Sequence, residues 1–467
     1  MKKKRGFNKY LIICTALLSI IFAGIIYWVD ILPSDYFIVL IGFLLICNIV
    51  VDVLLSKEGI RKILGGLFSL LLIVILIFGI NYELGTMKFL EDLGIIDYKT
   101  EHYNVLVLKN SDYENITDLK DTSIGHLDDK ALKGLNKFVL SLKKEIDFSS
   151  EVLDDVNKLQ EELLEGNLNG IILEDAQLDI IKEENGNFFN KIKIIYDLTI
   201  KIPNINIKHN KNIVNDSFNV YISGTDSYGN ISKVSRSDVN IVVSVNPKTK
   251  KVLLTNIPRD YYVKLHSFNE YDKLTHAGIY GIDESIYTVE DLLETKINYY
   301  VKVNFSFLEE LVDALGGLEI ESSYDFTSQD GYRYVKGKNK VNGKEALSFV
   351  RERKAFKDGD RQRGKNQEIV LESLINKVLS PDIITNYTKV LKALNGKFVT
   401  NFTDEEISKF IKKQLKDNST WDITNISLDG SDSYDYTYSY MKNKLYVMKQ
   451  NEESVKEVQK QISNILD

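Results

Sequence analysis

The chain has 467 residues and a mildly acidic balance, with 66 acidic against 59 basic side chains. Because no basic surplus is present to neutralise phosphates, we expect no nucleic-acid partner. The two cysteines, Cys14 and Cys47, lie in apolar segments, which excludes a disulfide or a thiolate metal site beyond residue 85. The five dispersed histidines lack the spacing of a zinc site, so any metal should prefer oxygen ligands.

Three apolar segments open the chain, at residues 10–29, 36–55 and 63–80. Each is long enough to cross a membrane as a helix, because about 20 residues span the hydrocarbon core of roughly 30 Å. A cleavable signal peptide is the alternative for the first segment, but its length and the two segments that follow argue against it. Residues 1–85 are therefore predicted to form a membrane anchor of three transmembrane helices.

The charges that flank these segments predict their orientation. Asp30 and Asp35 lie in the loop between the first two segments. The other two flanks are basic, with Lys2, Lys3, Lys4, Arg5 and Lys9 before the first segment and Lys57, Arg61 and Lys62 between the second and third. Since basic loops stay in the cytoplasm, the chain is predicted to be a multi-pass protein of the cell membrane. Everything after residue 80 would then lie outside the cell, without access to ATP or NAD.

Two α/β units are predicted after the anchor. In the first, residues 98–203, strands and helices alternate, with strands at 104–109, 170–174 and 192–202 and helices at 130–144 and 152–164. A polar linker at 204–216 leads to the second unit, residues 215–467. Its predicted elements are strands at 218–223, 241–245, 252–257 and 299–305 and helices at 284–294 and 307–315, with the second and third strands forming a hairpin.

Charged residues of the second unit lie where strands end. Gly224-Thr225-Asp226 closes the first strand, and Arg236-Ser237-Asp238 follows twelve residues later. Two carboxylates that flank one loop can converge on a single cation, and Mg²⁺ takes one or two carboxylates with water and phosphate oxygens. The alternative is an aspartate that caps a turn, which is common at such positions.

Two further segments supply arginines. Pro258 stops the strand at 252–257, so Arg259 lies at the sheet end, either in a cleft or in a surface ion pair with Asp260. Residues 345–353 are predicted as a strand that places Arg351 and Arg353 on one face. A helix from Asp360 would place its side chain with those of Arg363 and Gln367 on one side, and Arg361 on the other.

Arginine matches phosphate oxygens with a planar fork that stays charged, so a cluster of arginines favours an anion such as a diphosphate. Arginines and a metal together would stabilise charge on a departing diphosphate. A structural ion-pair network gathers opposite charges equally well, so charge alone leaves both hypotheses open.

The order of seven segments resolves this choice. They are GTD at 224–226, RSD at 236–238, IPRD at 257–260, DKLTHA at 272–277, VDALGG at 312–317, NGKEALSFVRER at 342–353 and DGDRQRGKNQ at 358–367. The chain resembles the LytR-CpsA-Psr family of cell-wall glycopolymer ligases in these segments. Its three-helix anchor and extra outer domain are similar to those of the capsule-associated branch. Asn256 and Asn366 are departures, where many relatives carry serine and arginine.

The resemblance implies a mixed central sheet flanked by helices, with an apolar cavity for a polyprenyl tail. It implies a phosphotransferase that moves an anionic or capsular glycopolymer from undecaprenyl diphosphate to a peptidoglycan hydroxyl. By the same resemblance Asp226 and Asp238 hold Mg²⁺, with Asp360 and Gln367 as supporting residues. The implied diphosphate-binding residues are Arg236, Arg259, Arg351, Arg353 and Arg363. The base that accepts the hydroxyl proton is Asp226, Asp238 or Asp360.

Two other functions stay open at this point. The same metal and arginines would serve a polyprenyl-diphosphate hydrolase, and a membrane regulator would only need to bind the lipid. The short cytosolic segments hold no helix-turn-helix pattern, which opposes direct DNA contact. Capsule and teichoic acid are both allowed as the glycopolymer. The residues 98–203 are similar to an accessory domain of some relatives.

Overall fold

The computed structural model describes residues 2–29, 32–92, 98–128, 133–203, 207, 211–225, 231–380, 390, 393, 397–417 and 419–467. It opens with three helices, α1 (Lys2–Val29), α2 (Ser34–Leu55) and α3 (Ile60–Asp92). Each contains a stretch long and apolar enough to cross a membrane, at Asn8–Trp28, Ser34–Leu55 and Ile60–Gly85. Large apolar side chains on all three helices are exposed, as expected for helices whose neighbours are lipid tails. The three predicted apolar helices are confirmed.

The first α/β region contains a mixed sheet with strand order β3-β2-β4-β1-β5. Its strands are β1 (Tyr98–Leu108), β2 (Ser123–Leu127), β3 (Ser149–Leu153), β4 (Gly170–Glu174) and β5 (Ile192–Pro203), and its helices are α4 (Leu135–Glu145), α5 (Val156–Glu165) and α6 (Asp175–Glu184). β1 is antiparallel to β4 and β5, while β2 is parallel to β3 and β4. Tyr103, Phe138 and Leu159 are among its fully buried side chains.

The three strands predicted for this region are confirmed, but the helix predicted at 152–164 is partly wrong. Residues 149–153 form strand β3, and the helix begins only at Val156. Asp155 causes this late start, because its Oδ1 accepts a hydrogen bond of 2.7 Å from the backbone N–H of Asn157 and so caps the helix. The helix predicted at 130–144 is present from Leu135 onward, and residues 129–132 lie outside the described residues.

The second region contains a mixed sheet of order β16-β11-β6-β7-β8-β17. Its strands are β6 (Phe218–Thr225), β7 (Val239–Asn246), β8 (Lys251–Asn256), β11 (Tyr299–Asn304), β16 (Phe398–Thr400) and β17 (Asp422–Ser427). β6, β7 and β8 are antiparallel neighbours, whereas β11 runs parallel to β6 and β17 parallel to β8. The predicted hairpin of β7 and β8 is confirmed, and so is the mixed central sheet.

Short strands and helices surround this sheet. The strands are β9 (Tyr262–Lys264), β10 (Tyr271–Lys273), β12 (Leu318–Ser322), β13 (Phe326–Thr327), β14 (Arg333–Tyr334), β15 (Gly337–Val341), β18 (Gly430–Thr437) and β19 (Tyr440–Gln450). The helices are α7 (Leu274–Ala277), α8 (Ile282–Leu293), α9 (Phe305–Ala314), α10 (Gly343–Arg351), α11 (Asp360–Leu379), α12 (Asp404–Asp417) and α13 (Glu452–Leu466). Gly316 and Gly317 follow α9 with φ of 79° and 90°, a left-handed conformation that ends a helix.

The prediction of a strand at 345–353 is wrong, because this segment forms helix α10. Asn342 Oδ1 accepts from the Glu345 N–H at 3.0 Å, and Glu345 Oε2 accepts from the Asn342 N–H at 2.8 Å. This reciprocal capping box starts a helix. The buried Ala346 and Val350, four residues apart, then supply its apolar face. Arg351 is therefore the last residue of a helix, and Arg353 lies in the loop that follows it.

Main-chain hydrogen bonds join the two regions directly. The Thr100 N–H donates to the Ser232 carbonyl at 2.9 Å, and the Val234 N–H donates to the Thr100 carbonyl at 3.0 Å. Buried side chains of both regions, such as Phe138 and Leu253, belong to one continuous apolar cluster. The boundaries proposed at 98–203 and 215–467 stay a prediction, and the two regions share a core.

Candidate active site

Asp238 and Arg259 form the centre of the site. Asp238 precedes β7 and Arg259 follows β8. Because these strands are antiparallel neighbours, both residues lie at the same end of the sheet. Arg259 Nη1 donates to Asp238 Oδ1 at 2.8 Å. Arg259 Nε lies 3.5 Å from Asp260 Oδ2 and 3.7 Å from Asp360 Oδ1. The side chain of Arg259 is only 15% exposed, so the surface ion pair with Asp260 is not its main contact.

Helix α11 adds a second arginine. Arg363 Nη2 lies 2.8 Å from Asp360 Oδ1, one helical turn away, and donates to the Asp238 carbonyl at 3.4 Å. Gln367, one further turn along, lines the same cavity as Arg363. Arg361 points elsewhere and donates to the carbonyl of Gly430 at 2.5 Å. The helix predicted from Asp360 and the side assigned to each of these residues are confirmed.

Arg236 has a partner that the sequence did not predict. Its guanidinium forms an ion pair with Glu183, the penultimate residue of α6 in the first α/β region. Arg236 also lies close enough to Asp238 and Arg259 for their charges to affect its pKa. Arg236, Arg259 and Arg363 are called the arginine cluster below. The first region therefore contacts one member of this cluster.

Arg351 and Arg353 lie at the surface, where both line the main cavity of the protein. The Arg351 guanidinium lies 4.6 Å from the centre of the Phe305 ring, a cation–π contact that holds it beside the cavity. Asp238, Arg363 and Gln367 line the same cavity. Asp226 lies outside the described residues.

The charges of the cluster favour an anion. Burial would raise the pKa of Asp238, but Arg259, Arg236 and Arg363 together lower it below its ordinary value, so this carboxylate stays ionised. Arg259 Nε and Arg363 Nε are buried and find no hydrogen-bond acceptor among the described residues. Because buried N–H groups are normally paired, the two donors suit an anion that supplies acceptor oxygens.

The DKLTHA segment, to which the sequence assigned no role, holds the two loops of the site together. The Ser237 N–H donates to the Thr275 carbonyl at 3.0 Å, and the Thr275 N–H donates to the Arg259 carbonyl at 2.8 Å. The Thr275 hydroxyl lies 3.4 Å from Asp238 Oδ1 and donates to it. Only the order of the family segments pointed to Thr275, because a threonine in a short helix carries no signal of its own.

The two departures from the family pattern are packing residues. Asn366 is buried, donates from Nδ2 to the Phe349 carbonyl at 3.1 Å and accepts from Gln362 Nε2 at 3.0 Å, which ties α11 to α10. A Cβ at Gly364 would lie 2.3 Å from Asn256 Nδ2, so α11 packs closely on the end of β8 there. The arginine cluster itself contains neither residue.

A cavity of about 1590 Å³ extends from the arginine cluster. Its mouth carries the polar side chains Asp238, Arg351, Arg353, Arg363 and Gln367. Its walls are apolar and come from the central sheet and from α9, α11 and α12, and include Ile222, Val239, Ile241, Val301, Leu308, Leu371, Phe410 and Trp421. The apolar helices α2 and α3 also contribute to its lining, with Tyr36, Val39, Leu40, Phe43, Tyr82 and Glu83. An apolar chain bound here would run from the anionic site toward the membrane helices.

The site defines a class of protein: one that binds an amphiphilic anion, with its charged group among arginines and its apolar chain in a cavity next to a membrane anchor. The LytR_cpsA_psr family model matches residues 191–463, more than half of the chain. The chain belongs to the LytR_cpsA_psr family.

The relatives with similar sequences are transferases by name. The chain is 37% identical over 197 residues to the polyisoprenyl-teichoic acid–peptidoglycan teichoic acid transferase TagU of Enterococcus faecalis, an alignment that covers 42% of this chain and 64% of the relative. It is 34% identical over 217 residues to the protein of the same name from Bacillus licheniformis, covering 44% and 70%. The chain thus spans slightly less than two thirds of the first of these relatives. The crystal structure of TagV from B. subtilis matches with 28% identity and a TM-score of 0.47, covering 54% of this chain and 98% of that one.

Proposed function

We propose that this protein is a phosphotransferase that moves a glycopolymer from a polyprenyl diphosphate carrier to a sugar hydroxyl of peptidoglycan. The observation that carries the proposal is an apolar cavity of about 1590 Å³ lined at one end by Asp238 and Arg363, with the buried Nε groups of Arg259 and Arg363 lacking a hydrogen-bond acceptor among the described residues. A diphosphate supplies the missing acceptor oxygens, and a polyprenyl chain fills the cavity. The names of the relatives support the reaction class.

In the proposed reaction the acceptor hydroxyl oxygen attacks the phosphorus nearest the glycan. The bond between that phosphorus and the bridging oxygen breaks, the glycan phosphate becomes attached to peptidoglycan, and the lipid leaves as a monophosphate. Arg259 and Arg363 stabilise the charge that grows on the leaving phosphate, because Arg363 is buried, Arg259 is only partly exposed, and carboxylates already hold both in place. Arg236, Arg351 and Arg353 hold the outer oxygens of the diphosphate.

A carboxylate of the cluster accepts the proton of the hydroxyl. The depressed pKa of Asp238 makes it a weak base, and Asp226 and Asp360 are the other candidates for this step. Asp360 Oδ1 lies between Arg259 and Arg363, next to where the phosphate would bind.

We also propose Mg²⁺ as a cofactor, held by Asp238 and Asp226. Asp238 fits this role because it is ionised, offers hard oxygen donors and lines the cavity mouth. In the described part of the chain no three His, Cys, Asp or Glu side chains gather as a metal site. Such a gathering is unnecessary for Mg²⁺, which completes its coordination with water and phosphate oxygens. When bound, the ion would supply further charge stabilisation to the departing phosphate.

We infer that the reaction takes place on the outer face of the cell membrane, with undecaprenyl diphosphate as the carrier. The basic flanks of the three apolar helices support this orientation. The cavity end lined by α2 and α3 supports a lipid donor, since the polyprenyl chain could pass there without crossing water. The glycopolymer is anionic, either a teichoic acid, as the names of the relatives indicate, or a capsular polymer.

The full chain in lipid nanodiscs, given Mg²⁺, a lipid-diphosphate-linked oligosaccharide and peptidoglycan, tests the proposal. We expect covalently modified peptidoglycan and an equal amount of lipid monophosphate. A reaction without peptidoglycan is the control and should release little product. Free sugar phosphate at the same rate with and without peptidoglycan would instead identify a hydrolase. Lipid binding without any turnover would identify a lipid-binding regulator.

A further inference from the structure

The β18–β19 hairpin presents a row of tyrosines to solvent. Tyr434 and Tyr436 are two residues apart on β18, and Lys444, two residues from Tyr446 on β19, lies over the Tyr436 ring. The strand register places Tyr446 of β19 opposite Tyr434, and their rings meet edge to face with centres 6.0 Å apart. Tyr434 is 66% exposed and Tyr436 is 51% exposed. The function proposed above uses none of these side chains.

A second pair of tyrosines lies next to the hairpin. Tyr262 and Tyr271, on β9 and β10, stack with ring centres 5.1 Å apart, and the Tyr262 hydroxyl donates to the Tyr436 carbonyl at 2.8 Å. Tyr262, Tyr271, Tyr434, Tyr436 and Tyr446 are called the tyrosine patch below. Among the described residues beyond the anchor helices, the strongly exposed aromatic side chains are Tyr98, Tyr271, Tyr324, Tyr434 and Tyr436. Three of these five belong to the patch, and such a concentration of exposed aromatic area marks a binding surface.

The β18–β19 hairpin is bonded to segments that adjoin the site. Tyr262 follows Asp260 by two residues, and the Met448 N–H of β19 donates to the Asp260 carbonyl at 2.8 Å. On the other side, Arg361 of α11 contacts Asp432 at 3.4 Å, and the Tyr446 hydroxyl donates to Asp432 at 2.9 Å. The hairpin is thus held next to the segments that carry Arg259 and Arg363.

The charges of the patch favour a neutral polymer over an anionic one. The carboxylates Asp429, Asp432 and Asp435 stand beside the cations Arg361, Lys444 and Lys449, and Glu270 and Asp272 also act on Tyr262, so no positive charge is in excess. Arg361 and Lys449 are engaged by these carboxylates, and Lys444 lies over the Tyr436 ring. A polyanion would gain no surplus cation here. Sugar rings instead offer apolar C–H faces that pack on aromatic rings and hydroxyl groups that hydrogen-bond to carboxylates.

We propose that the tyrosine patch binds the acceptor, a neutral glycan strand of the cell wall, through stacking of its sugar rings on Tyr434 and Tyr436. This inference rests on the proposed function, since it assigns the patch to the second substrate of that reaction. The donor occupies the arginine cluster and the apolar cavity, and the acceptor approaches from the hairpin. The patch is thus a specificity site for the acceptor and contributes no group to the chemistry.

Oligomers of N-acetylglucosamine serve as the probe. Their binding to the full chain in nanodiscs is measured by calorimetry. We expect the double variant Tyr434→Ala/Tyr436→Ala to weaken binding of the oligomers about tenfold or more, because two stacking contacts are lost. The double variant Tyr434→Phe/Tyr436→Phe should bind nearly as well as the natural chain, since the rings remain. Tyr98→Ala, which removes an exposed tyrosine of the other sheet, is the matched control and should change nothing.

Transfer assays distinguish the acceptor from the donor. The alanine variant should raise KM for peptidoglycan about tenfold while leaving binding of the lipid diphosphate unchanged. Equal binding of the oligomers by the alanine variant and the natural chain would overturn the proposal. Displacement of the oligomers by a soluble anionic glycopolymer would also overturn it, by assigning the patch to the donor. A chain that binds the oligomers through these tyrosines but transfers nothing would refute the proposed function alone.

Discussion

Two clusters of buried charge, built from similar residues, differ in what surrounds them. The site cluster consists of Asp238, Arg259, Asp360 and Arg363. The interface cluster lies between the two sheets and consists of Lys99, Glu101, Glu174, Asp283 and Lys302. In the interface cluster Lys99 Nζ donates to the Tyr280 carbonyl at 2.7 Å and lies 3.7 Å from Glu101 and 3.8 Å from Asp283. Lys302 Nζ donates to the Lys233 carbonyl at 2.6 Å.

The difference between the clusters is access. The interface cluster has two lysines and three carboxylates, and its residues join the two α/β regions. The site cluster has two arginines and two aspartates, but the Nε groups of Arg259 and Arg363 lack a hydrogen-bond acceptor among the described residues, and Asp238 and Arg363 line a large cavity. Opposite charges in proximity therefore do not identify a functional site. In the proposed function, the unpaired guanidinium N–H groups beside the cavity are what distinguishes the site cluster from a structural network.

The comparison predicts that Arg363→Ala causes the largest loss of activity. Removal of one buried donor that stabilises the leaving phosphate should lower kcat about 10²–10³-fold, which corresponds to roughly 2.7–4 kcal/mol. The full chain in nanodiscs is assayed for transfer to peptidoglycan, with the donor at saturation.

Lys365→Ala is the matched control, because Lys365 is exposed on the same helix two residues away. It should retain the activity of the natural chain. Thermal unfolding of both variants separates loss of function from loss of fold. If Arg363→Ala transferred at the natural rate while its unfolding temperature fell sharply, the site cluster would be structural like the interface cluster.

A smaller loss is expected from Gly278→Ala, which alters the site only through the backbone. A Cβ at Gly278 would lie 2.5 Å from the Ser235 carbonyl oxygen and 2.8 Å from the Ser237 nitrogen. The loop that carries Arg236 and Asp238 must then shift, and we expect kcat to fall about tenfold because small displacements of catalytic groups are costly. Gly186→Ala, in open space in the first α/β region, is the control for the substitution itself. Unchanged kcat for Gly278→Ala would mean that the position of this loop is not critical.

For the interface cluster the prediction concerns stability and pH. Burial, with the nearby carboxylates of Asp175 and Glu101, raises the pKa of Glu174 to about 8 from an ordinary value of 4.5. Between these two pH values the folded chain binds a proton that the unfolded chain has released, so this group lowers stability as pH rises from about 4.5 to 8. Glu174→Gln should therefore stabilise the protein by about 1–2 kcal/mol at pH 8 and by little at pH 4.5.

Thermal unfolding of the variant and the natural chain across this pH range measures the effect. Transfer activity should stay within about twofold, since the interface cluster contacts no substrate. A gain in stability of equal size at both pH values would contradict the assignment to Glu174 ionisation, and a large loss of activity would contradict the division between the two clusters.

Much of the fold followed from local patterns in the sequence. The apolar helices, the β7–β8 hairpin and the helix from Asp360 were predicted correctly because their signals lie within a few residues of each other. The prediction of a strand at 345–353 is wrong because Asn342 and Glu345 form a capping box that starts a helix there. This signal is also local. The apolar residues that follow, Ala346, Leu347, Phe349 and Val350, fit a helix as well as a strand.

Contacts between distant segments could not be predicted in the same way. Thr275 joins Ser237 and Arg259 through its backbone, and no side-chain pattern encodes such bonds. The membrane helices were predicted as an anchor only, because their place at one end of the cavity depends on how they pack against the second sheet. Glu183 and Arg236 are separated by 53 positions and lie in different regions, so only the packing of the two sheets reveals their ion pair.

The ion pair of Glu183 and Arg236 connects the first α/β region to the second, and it leads to the smallest predicted effect. Glu183 is half exposed, with 47% of its side chain accessible, and it holds a guanidinium that the donor diphosphate would otherwise bind. A partly exposed ion pair contributes about 0–1 kcal/mol, so Glu183→Gln should lower KM for the lipid diphosphate by about two- to fivefold and leave kcat unchanged. The difference should shrink in high salt, which screens the pair in the natural chain.

Glu184→Gln, one residue along and exposed, is the control and should leave KM unchanged. If Glu183→Gln raised KM, the carboxylate would serve to position Arg236 for the donor, and the first α/β region would support binding of the donor. A fall in KM means that this region competes with the donor for Arg236. The Glu183 carboxylate then weakens donor binding, because the diphosphate must displace Glu183 before Arg236 can bind the diphosphate.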